Sequence, residues 1–570
     1  MSDRYVAVFS VGPVQSFIAS ARKTEDLWSG SYILSFFVRK ALECLYEKFE
    51  SKFQLLYPKI PSEEIRHPNP STVHIASVPN RFTALLTANR TEVENMLAEA
   101  ETAVRKCFRK MFRQSVCKLF SDQLEREKIK EMIRTGKKQI DSLLEIYWVA
   151  EPYPDSASFK EVRERAESRL AAIKNDKQFP QMEQIGLTCS VCHERQALVG
   201  EPITEDDSYG TMKRKLIRTW SRRHTDFRKK EDSGIARIKD NEFLCGVCLT
   251  KRLARDYFKN YYKRQHGISS DLVQTRFSSF KSTVDISDEK EKYYGIIMID
   301  GDNMGEWFSG ENPEDYGKVS EKLKNYSAQT VPSIVEEKYN GMLIYAGGDD
   351  VLAFLPLSEA LAIANELRFS FSDGEKGLDK SATSSGGLVI AHEKSDMRMA
   401  LQAARALEAK AKAYRKPTNS DTDQKKDEKE ETKNALAIAV HTRSGEQSET
   451  VLPWLLGEKK TIDVLIRIVD LLKNELSDTF IFQFIDGFHP LLPNENAPAP
   501  SEKFKKVPKC FVQTELVRLI SRSAKRELPP ETIKEYVDDF MLIYENVPTT
   551  MDFIHTLKIL SFFGRKERES

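Results

Sequence analysis

Tyr293-Tyr294-Gly295-Ile296-Ile297-Met298-Ile299-Asp300-Gly301-Asp302-Asn303 and, further along, Met342-Leu343-Ile344-Tyr345-Ala346-Gly347-Gly348-Asp349-Asp350-Val351-Leu352-Ala353-Phe354-Leu355 decide the fold. The first is an apolar strand ending in carboxylates, and the second is two apolar runs around a Gly-Gly-Asp-Asp turn. Side chains two apart on a strand share a face, so Asp300 and Asp302 are expected to aim at one point. A hairpin beside that strand end would bring Asp349 and Asp350 to the same place. Oxygens converging in this way suit two Mg²⁺ or Mn²⁺ ions, hard cations that keep positions open for water and phosphate. Two such ions would activate an attacking 3′-hydroxyl and stabilise a departing pyrophosphate. Gly347 and Gly348 would let the backbone approach a nucleotide without a Cβ clash. Gly-Gly-Asp-Asp alone is equally a polar turn; the acidic strand end upstream gives it chemical meaning.

Outward from this pair, residues 293–441 read as strand, helix (Asp315 to Tyr339), hairpin, helix (Ser358 to Phe371), strand (Ser385 to His392), helix (Asp396 to Arg415) and strand (Ala435 to His441). The first 175 residues repeat the order without an acidic hairpin. There the spacing predicts a strand from Arg4 to Val11 and a helical run from Gln15 to Phe49 broken at Ser29-Gly30-Ser31. A hairpin follows, of Thr72 to Val78 with Arg81 to Ala88, then a long helical stretch from Thr91 to Arg134 and a strand from Ile146 to Ala150. The expected fold class is α+β multidomain: two ferredoxin-like palms, a zinc-bearing insertion and a C-terminal helical domain. The boundaries drawn are 1–180 for the first palm, 181–285 for the zinc-bearing and helical linker, 286–445 for the second palm and 446–570 for the helical domain. The run Lys416 to Lys433, dense in charge and without aliphatic residues, reads as a solvated loop.

Composition is consistent with this and excludes several classes. A chain of 570 residues suggests about four domains. With 40% hydrophobic and 30% charged residues it carries no apolar run long enough for a membrane span. Met1-Ser2-Asp3-Arg4-Tyr5 lacks the layout of a secretory signal, so export is not expected. Lys plus Arg number 87 against 86 Asp plus Glu, so a polyanion must be met by local patches. Two patches stand out. Lys213 to Lys230 holds nine basic residues against one Asp, with Trp220 and Phe227 interleaved for base stacking, and Arg105 to Lys138 holds twelve basic residues against four acidic. Either is equally a solvated helix face.

Eight cysteines are too few for a disulfide framework. Four form Cys189-x-x-Cys192 and Cys245-x-x-Cys248, a set suited to one closed structural Zn²⁺ site in a reducing compartment, here taken as cytoplasmic. The 52-residue spacer, residues 193–244, implies an insertion between the pairs. His193 could displace one sulfur, though four already satisfy the ion. Cys44, Cys107, Cys117 and Cys510 lack such spacing.

Together, Gly12 to Phe17, Ala21 to Thr24, Trp28 to Ser31, both Cys-x-x-Cys pairs, Asp300 to Gly305, Gly347 to Asp350 and Ser384-Ser385-Gly386 with His392 resemble the large palm-domain subunit of Cmr-type, type III-B, CRISPR effector complexes. The resemblance implies an antiviral ribonucleoprotein subunit, working with other Cmr subunits, guide CRISPR RNA and target RNA rather than alone or at a membrane. It implies that the second palm converts ATP into a nucleotide second messenger, a cyclic oligoadenylate or related AMP-containing product, when target RNA is bound. By the same resemblance Asp300, Asp302, Asp349 and Asp350 hold the catalytic metals, and Asn303, Gly347, Gly348, Ser384 and Ser385 surround the nucleotide. Lys410 or Lys412 reaches the triphosphate, and Ser29, Gly30 and Ser31 approach from the first palm. Many relatives begin with a nuclease domain marked by His-Asp. None of the nine histidines here is followed by Asp, and DNA cleavage by this polypeptide is not expected. Two other readings stand beside the enzyme: a scaffold that binds ATP or metal without turnover, and a stand-alone palm-type nucleotide cyclase, against which the zinc insertion and basic segments argue.

Overall fold

The computed structural model describes residues 3–176, 183–224, 237–269, 271–272, 277, 282–287, 292–415, 433–477, 479–488 and 506–565. Most of Lys416 to Lys433, and Phe227 with the end of the first basic segment, lie outside them. Two compact units form. One comprises residues 1–282, 303–332 and 344–348, and the other residues 283–302, 333–343 and 349–570.

In the first unit, strands β1 (Arg4–Gly12), β2 (Phe53–Tyr57), β3 (Arg81–Thr87) and β4 (Glu145–Pro152) form a sheet of order β2-β3-β1-β4. Every neighbouring pair is antiparallel, the ferredoxin-like arrangement expected from the element order. Three local expectations are corrected. The partner of β3 is Phe53–Tyr57, not Thr72 to Val78, so the hairpin is a long excursion. Residues 72–78 instead form a buried loop whose polar backbone groups are taken by side chains of the helix Thr24–Phe49. Trp28 Nε1 donates to His74 O at 3.1 Å, the Tyr32 hydroxyl to Val73 O, and Val78 N to Ser35 Oγ at 2.9 Å. A segment rich in Val and Ile can be buried without pairing once its backbone is satisfied in this way.

The expected break at Ser29-Gly30-Ser31 lies instead at Ser20 to Lys23, between the helices Gln15–Ala19 and Thr24–Phe49. Asp26 sets it, accepting from the backbone N–H groups of Arg22 at 3.2 Å and Lys23 at 3.3 Å. Ser29, Gly30 and Ser31 continue the helix in its buried core. The predicted run to Arg134 divides into Arg90–Phe120 and Arg126–Leu143.

The second sheet runs β10-β9-β8-β5-β7-β6, built from β5 (Tyr293–Gly301), β6 (Met342–Gly347), β7 (Asp350–Pro356), β8 (Ser384–His392), β9 (Ala435–His441) and β10 (Gln447–Pro453). Four adjacent strands, β8-β5-β7-β6, repeat the order of the first sheet. The helix Met397–Lys412 then crosses over to β9, which lies parallel to β8. β8 is buried at all nine positions, and β5 carries Ile296, Ile297 and Ile299 in the core. Both are central strands, which explains their continuous apolar character. The C-terminal helices expected from periodicity are present as Thr461–Asp470, Lys509–Ser523 and Pro530–Asn546, joined by Phe480–Phe488 and Thr550–Phe563. No described helix is long and apolar enough to cross a membrane.

The crossover helix approaches β8 so closely that a Cβ on Gly387 would stand 2.4 Å from Glu408 N and 2.5 Å from Ala404 O, both backbone atoms. Gly387→Ala should therefore destabilise the second palm by about 2 kcal/mol. Gly374→Ala, where nothing lies within 4 Å, should leave the melting curve unchanged. Equal Tm values for the two variants in differential scanning calorimetry would refute this account of the packing.

Candidate metal and nucleotide site

β5 and β7 pair antiparallel, with Ile299 opposite Val351 at the end of the register. The next residues on the two strands are Asp300 and Asp350. Asp349 sits in the two-residue turn, where Gly348 adopts φ +73°, a left-handed conformation that glycine enters without cost. Ligand oxygens of Asp300, Asp349 and Asp350 all lie within 4.8 Å of one another, with Asp350 exposed and the other two half-buried. This donor set, hard and oxygen-only at an accessible hairpin, fits Mg²⁺ or Mn²⁺.

Lys412, at the end of the crossover helix, forms an ion pair with Asp300 and donates to Gly301 O at 3.2 Å. Burial, and then the like charge of Lys433, pull the Lys412 ammonium down from 10.5 to about 8. Lys410, two residues earlier on the helix, points elsewhere and pairs with Glu449.

Asp302 is not part of the carboxylate cluster, correcting the expectation that it and Asp300 aim at one point. The strand β5 ends at Gly301, and the next residue keeps the register with the start of β8, Asp302 N donating to Thr383 O at 2.8 Å. Its carboxylate is 2% exposed and accepts from Ser385 Oγ at 2.9 Å, Thr383 Oγ1 at 2.9 Å and Asn434 N at 3.0 Å. Ser385 is therefore engaged with Asp302 rather than with open space. Ser384 is fully buried, its carbonyl accepting from Trp454 Nε1 at 2.9 Å while its hydroxyl has no partner among the described residues. Asn303 has φ +53° and begins the short turn Met304–Trp307. Ser29 and Ser31 are buried in their helix, and a Cβ on Gly30 would meet Ile18 Cα at 3.0 Å. Sequence reasoning missed Thr383, Asn434 and Arg368, whose role rests on contacts far apart in the chain.

The four paired cysteines converge, their sulfurs within 4.8 Å of one another, with Cys192 Sγ 3.9 Å from Cys245 Sγ. A tetrahedron with Zn–S bonds of about 2.3 Å has edges of about 3.8 Å, so the set fits zinc. Val191 N lies 3.4 Å from Cys189 Sγ and Cys248 N 3.4 Å from Cys245 Sγ, each donating to a sulfur. Hydrogen bonds from neighbouring thiols, Cys189 first, hold Cys192 low, whereas burial raises Cys245. Four thiolates together require a cation. His193 Nε2 lies 3.3 Å from Arg22 Nη2, leaving sulfur as the donor set. The next residues anchor the site. Lys251 Nζ donates to Phe17 O at 2.6 Å and Ser20 O at 2.7 Å, and buried Arg252 pairs with Asp26 at 2.6 Å and Glu242 at 3.1 Å.

Within the cysteine spacer Trp220 is 0% exposed and donates to Leu198 O at 2.8 Å, so it is a core residue and not a stacking platform for bases. Arg223 is buried as well, bonded to Trp220 O, Ile238 O and Asp240.

The family described as "Cas10/Cmr2, second palm domain" matches residues 293–420, and that described as "CRISPR-associated protein Cmr2, N-terminal" matches residues 6–115. The chain is 24% identical to the CRISPR system Cmr subunit Cmr2 of Pyrococcus furiosus, over 80% of this chain and 63% of that protein, so it spans somewhat less than two thirds of that relative's length. Among solved structures, a chain of the type III-B Cmr-beta complex in the apo state superposes with TM-score 0.66 at 15% identity, covering 99% of this chain and 82% of that one. A chain of Cmr-beta bound to cognate target RNA gives 0.65 at 14%, covering 99% and 83%. At these identities the likeness is one of fold.

Asp302→Ala should lower Tm, because it removes the acceptor of three donors, of which Ser385 is buried and Thr383 and Asn434 half-buried, a buried unpaired donor alone costing about 1–3 kcal/mol. Asp350→Ala, at an exposed position among like charges, should leave Tm unchanged or raise it. A thermal scan ranking the two the other way would overturn the division of labour between them. Elemental analysis should find one zinc per chain, lost when Cys189 and Cys245 are both replaced by Ser; zinc retained in that variant would reject the four-sulfur site.

Proposed function

The chain belongs with the Cas10/Cmr2 proteins, and from that premise we propose that it is the large subunit of a type III-B CRISPR effector complex whose second palm makes a nucleotide second messenger from ATP when target RNA is bound. The observation that carries this is the convergence of Asp300, Asp349 and Asp350 at the open end of a palm sheet. Divalent ions bound there would supply charge stabilisation to an attacking hydroxyl and a departing pyrophosphate. The chain's own residues do the rest. The two strand ends fix the carboxylates, Gly348 turns the hairpin back sharply, and Lys412 provides a cation within reach of the phosphates. The product class is a cyclic oligoadenylate or another AMP-containing compound.

The partners in this reading are other Cmr subunits, guide RNA and target RNA, supported by the likeness to a Cmr-beta chain from a complex bound to cognate target RNA. The exposed basic residues of the helix Arg90–Phe120 and of Tyr209–Trp220 are the candidate phosphate contacts. Free thiolates for zinc fit a cytoplasmic setting. A hundredfold activation by RNA needs about 2.7 kcal/mol of differential binding, within reach of a few charge-assisted contacts.

Asp349→Ala with Asp350→Ala should cut product by on the order of a thousandfold, the loss of several kcal/mol of transition-state stabilisation, while guide and target RNA binding persist. The assay is mass spectrometry of products from labelled ATP with the assembled complex, with and without target RNA. Wild-type complex that binds ATP without turnover would favour the scaffold reading, and undiminished product from the double variant would place the chemistry elsewhere.

A further inference from the structure

Behind the carboxylate cluster a chain of polar groups, buried at Asp302 and Arg368 and half-buried between and beyond them, leads away from Asp302. Asn434 gives its backbone N–H to the Asp302 carboxylate at 3.0 Å, and its side-chain carbonyl accepts from Arg368 Nε at 2.9 Å and Nη2 at 2.6 Å. Arg368, 3% exposed, also donates through Nη1 to Ser372 Oγ, and that hydroxyl donates to Ala382 O at 2.7 Å. A buried carboxylate and a buried guanidinium thus polarise the same asparagine from opposite sides. Buried charges survive only when hydrogen-bonded in this manner, and bonds in such a chain strengthen one another. Lys433 and Asn434 both have positive φ, +63° and +49°, a strained backbone that persists where its surroundings over-determine it.

The chain joins three strand ends. Asp302 follows β5 directly, two residues after Asp300; Thr383 precedes β8 and Ser385 is its second residue, opposite Asp300 in register; Asn434 immediately precedes β9. Asp300 therefore projects from a backbone held on one side by its ladder to β8 and from beyond its end by the Asp302 network. Nothing in the proposed chemistry requires Arg368, on helix Ala360–Phe371, or Asn434 near substrate.

We propose that Arg368 and Asn434 are positioning residues for the metal site, acting through Asp302 to hold Asp300 at the separation from Asp349 and Asp350 that a divalent ion requires. The proposal rests on the reading that this cluster binds such an ion. Outer-shell hydrogen bonds of this kind govern metal affinity by about 10–100-fold when removed.

The test is Mn²⁺ binding to the full chain without nucleotide, measured by electron paramagnetic resonance of the free ion well below Tm. Arg368→Gln should weaken binding by about 10–100-fold with all three cluster carboxylates intact. Asn434→Gly, which keeps the N–H to Asp302 and suits a positive φ, removes only the acceptor for Arg368 and should weaken it in the same direction even if Arg368→Gln does not fold. Combining the two should cost no more than the larger single effect, since both cut one chain. A purely structural role predicts lowered Tm with unchanged Mn²⁺ affinity, and that result in folded Asn434→Gly overturns the proposal. Asp349→Ala with Asp350→Ala serves as reference. If it loses Mn²⁺ while Asn434→Gly keeps it, this proposal fails alone; if it keeps Mn²⁺, the metal-site reading fails as well.

Discussion

Three carboxylates with oxygens within 4.8 Å of one another repel, by about 3.5 kcal/mol for each ionised pair at an effective dielectric near 20. No hairpin tolerates that without a cation or a strong reason in the backbone. Here both are present. The antiparallel register of β5 and β7 leaves Asp300 and Asp350 as the next residues on adjoining strands, so the apolar ladder beneath them, Ile296, Ile297 and Ile299 against Phe354, Ala353 and Val351, holds the charges together. Lys412 answers one carboxylate from the crossover helix. The helix can bring it there because Gly387 lets it lie directly on β8. The charge cluster, the close helix and the buried sheet are therefore one arrangement, in which hydrophobic burial sustains electrostatic strain that a bound metal would relieve.

The same topology without that strain shows what the acidic turn adds. In the first sheet the strands corresponding to β6 and β7 are β2 and β3, joined by residues 58–80 instead of a two-residue turn. The connection is folded down onto the helix Thr24–Phe49, and its backbone is satisfied by Trp28, Tyr32 and Ser35. That helix is also pinned at its first turn. Asp26 caps its first turn and also receives Arg252, the last residue of the helix Gly246–Arg252 and four residues on from Cys248. Folding of the four-sulfur knuckle and placement of the first palm's main helix are thus mechanically linked through the buried Arg252–Asp26 pair and through Lys251 on the carbonyls of Phe17 and Ser20. A buried pair of this sort is costly to break from one side, which makes it an effective register device.

Much was legible from the amino-acid order alone. Short apolar runs marked β1, β5, β7, β8 and β9, helical periodicity marked their covering helices, and the spacing of Cys189, Cys192, Cys245 and Cys248 marked the sulfur site. These are local or near-local patterns, and burial enforces them wherever a face must be apolar. The acidic turn between β6 and β7 was equally legible, since two residues between apolar strands leave little choice of geometry.

What only the tertiary structure decided is how ambiguous polar and apolar residues are spent. Thr72 to Val78 has strand composition, yet lacks a free edge to pair with once Phe53–Tyr57 has taken β3. Trp220 sits in a basic run but fills a core. Asp302 reads as a metal carboxylate on paper, but its carboxylate is taken by three donors from Thr383, Ser385 and Asn434, two segments distant in sequence. Lys410 and Lys412 are alike in the sequence; their separation by about 200° of helix turn sends one to Glu449 and the other to Asp300. In each case the residue's own chemistry permitted several partners, and the choice fell to whichever unsatisfied group the fold had already buried nearby, because leaving that group unpaired costs more than any local preference returns.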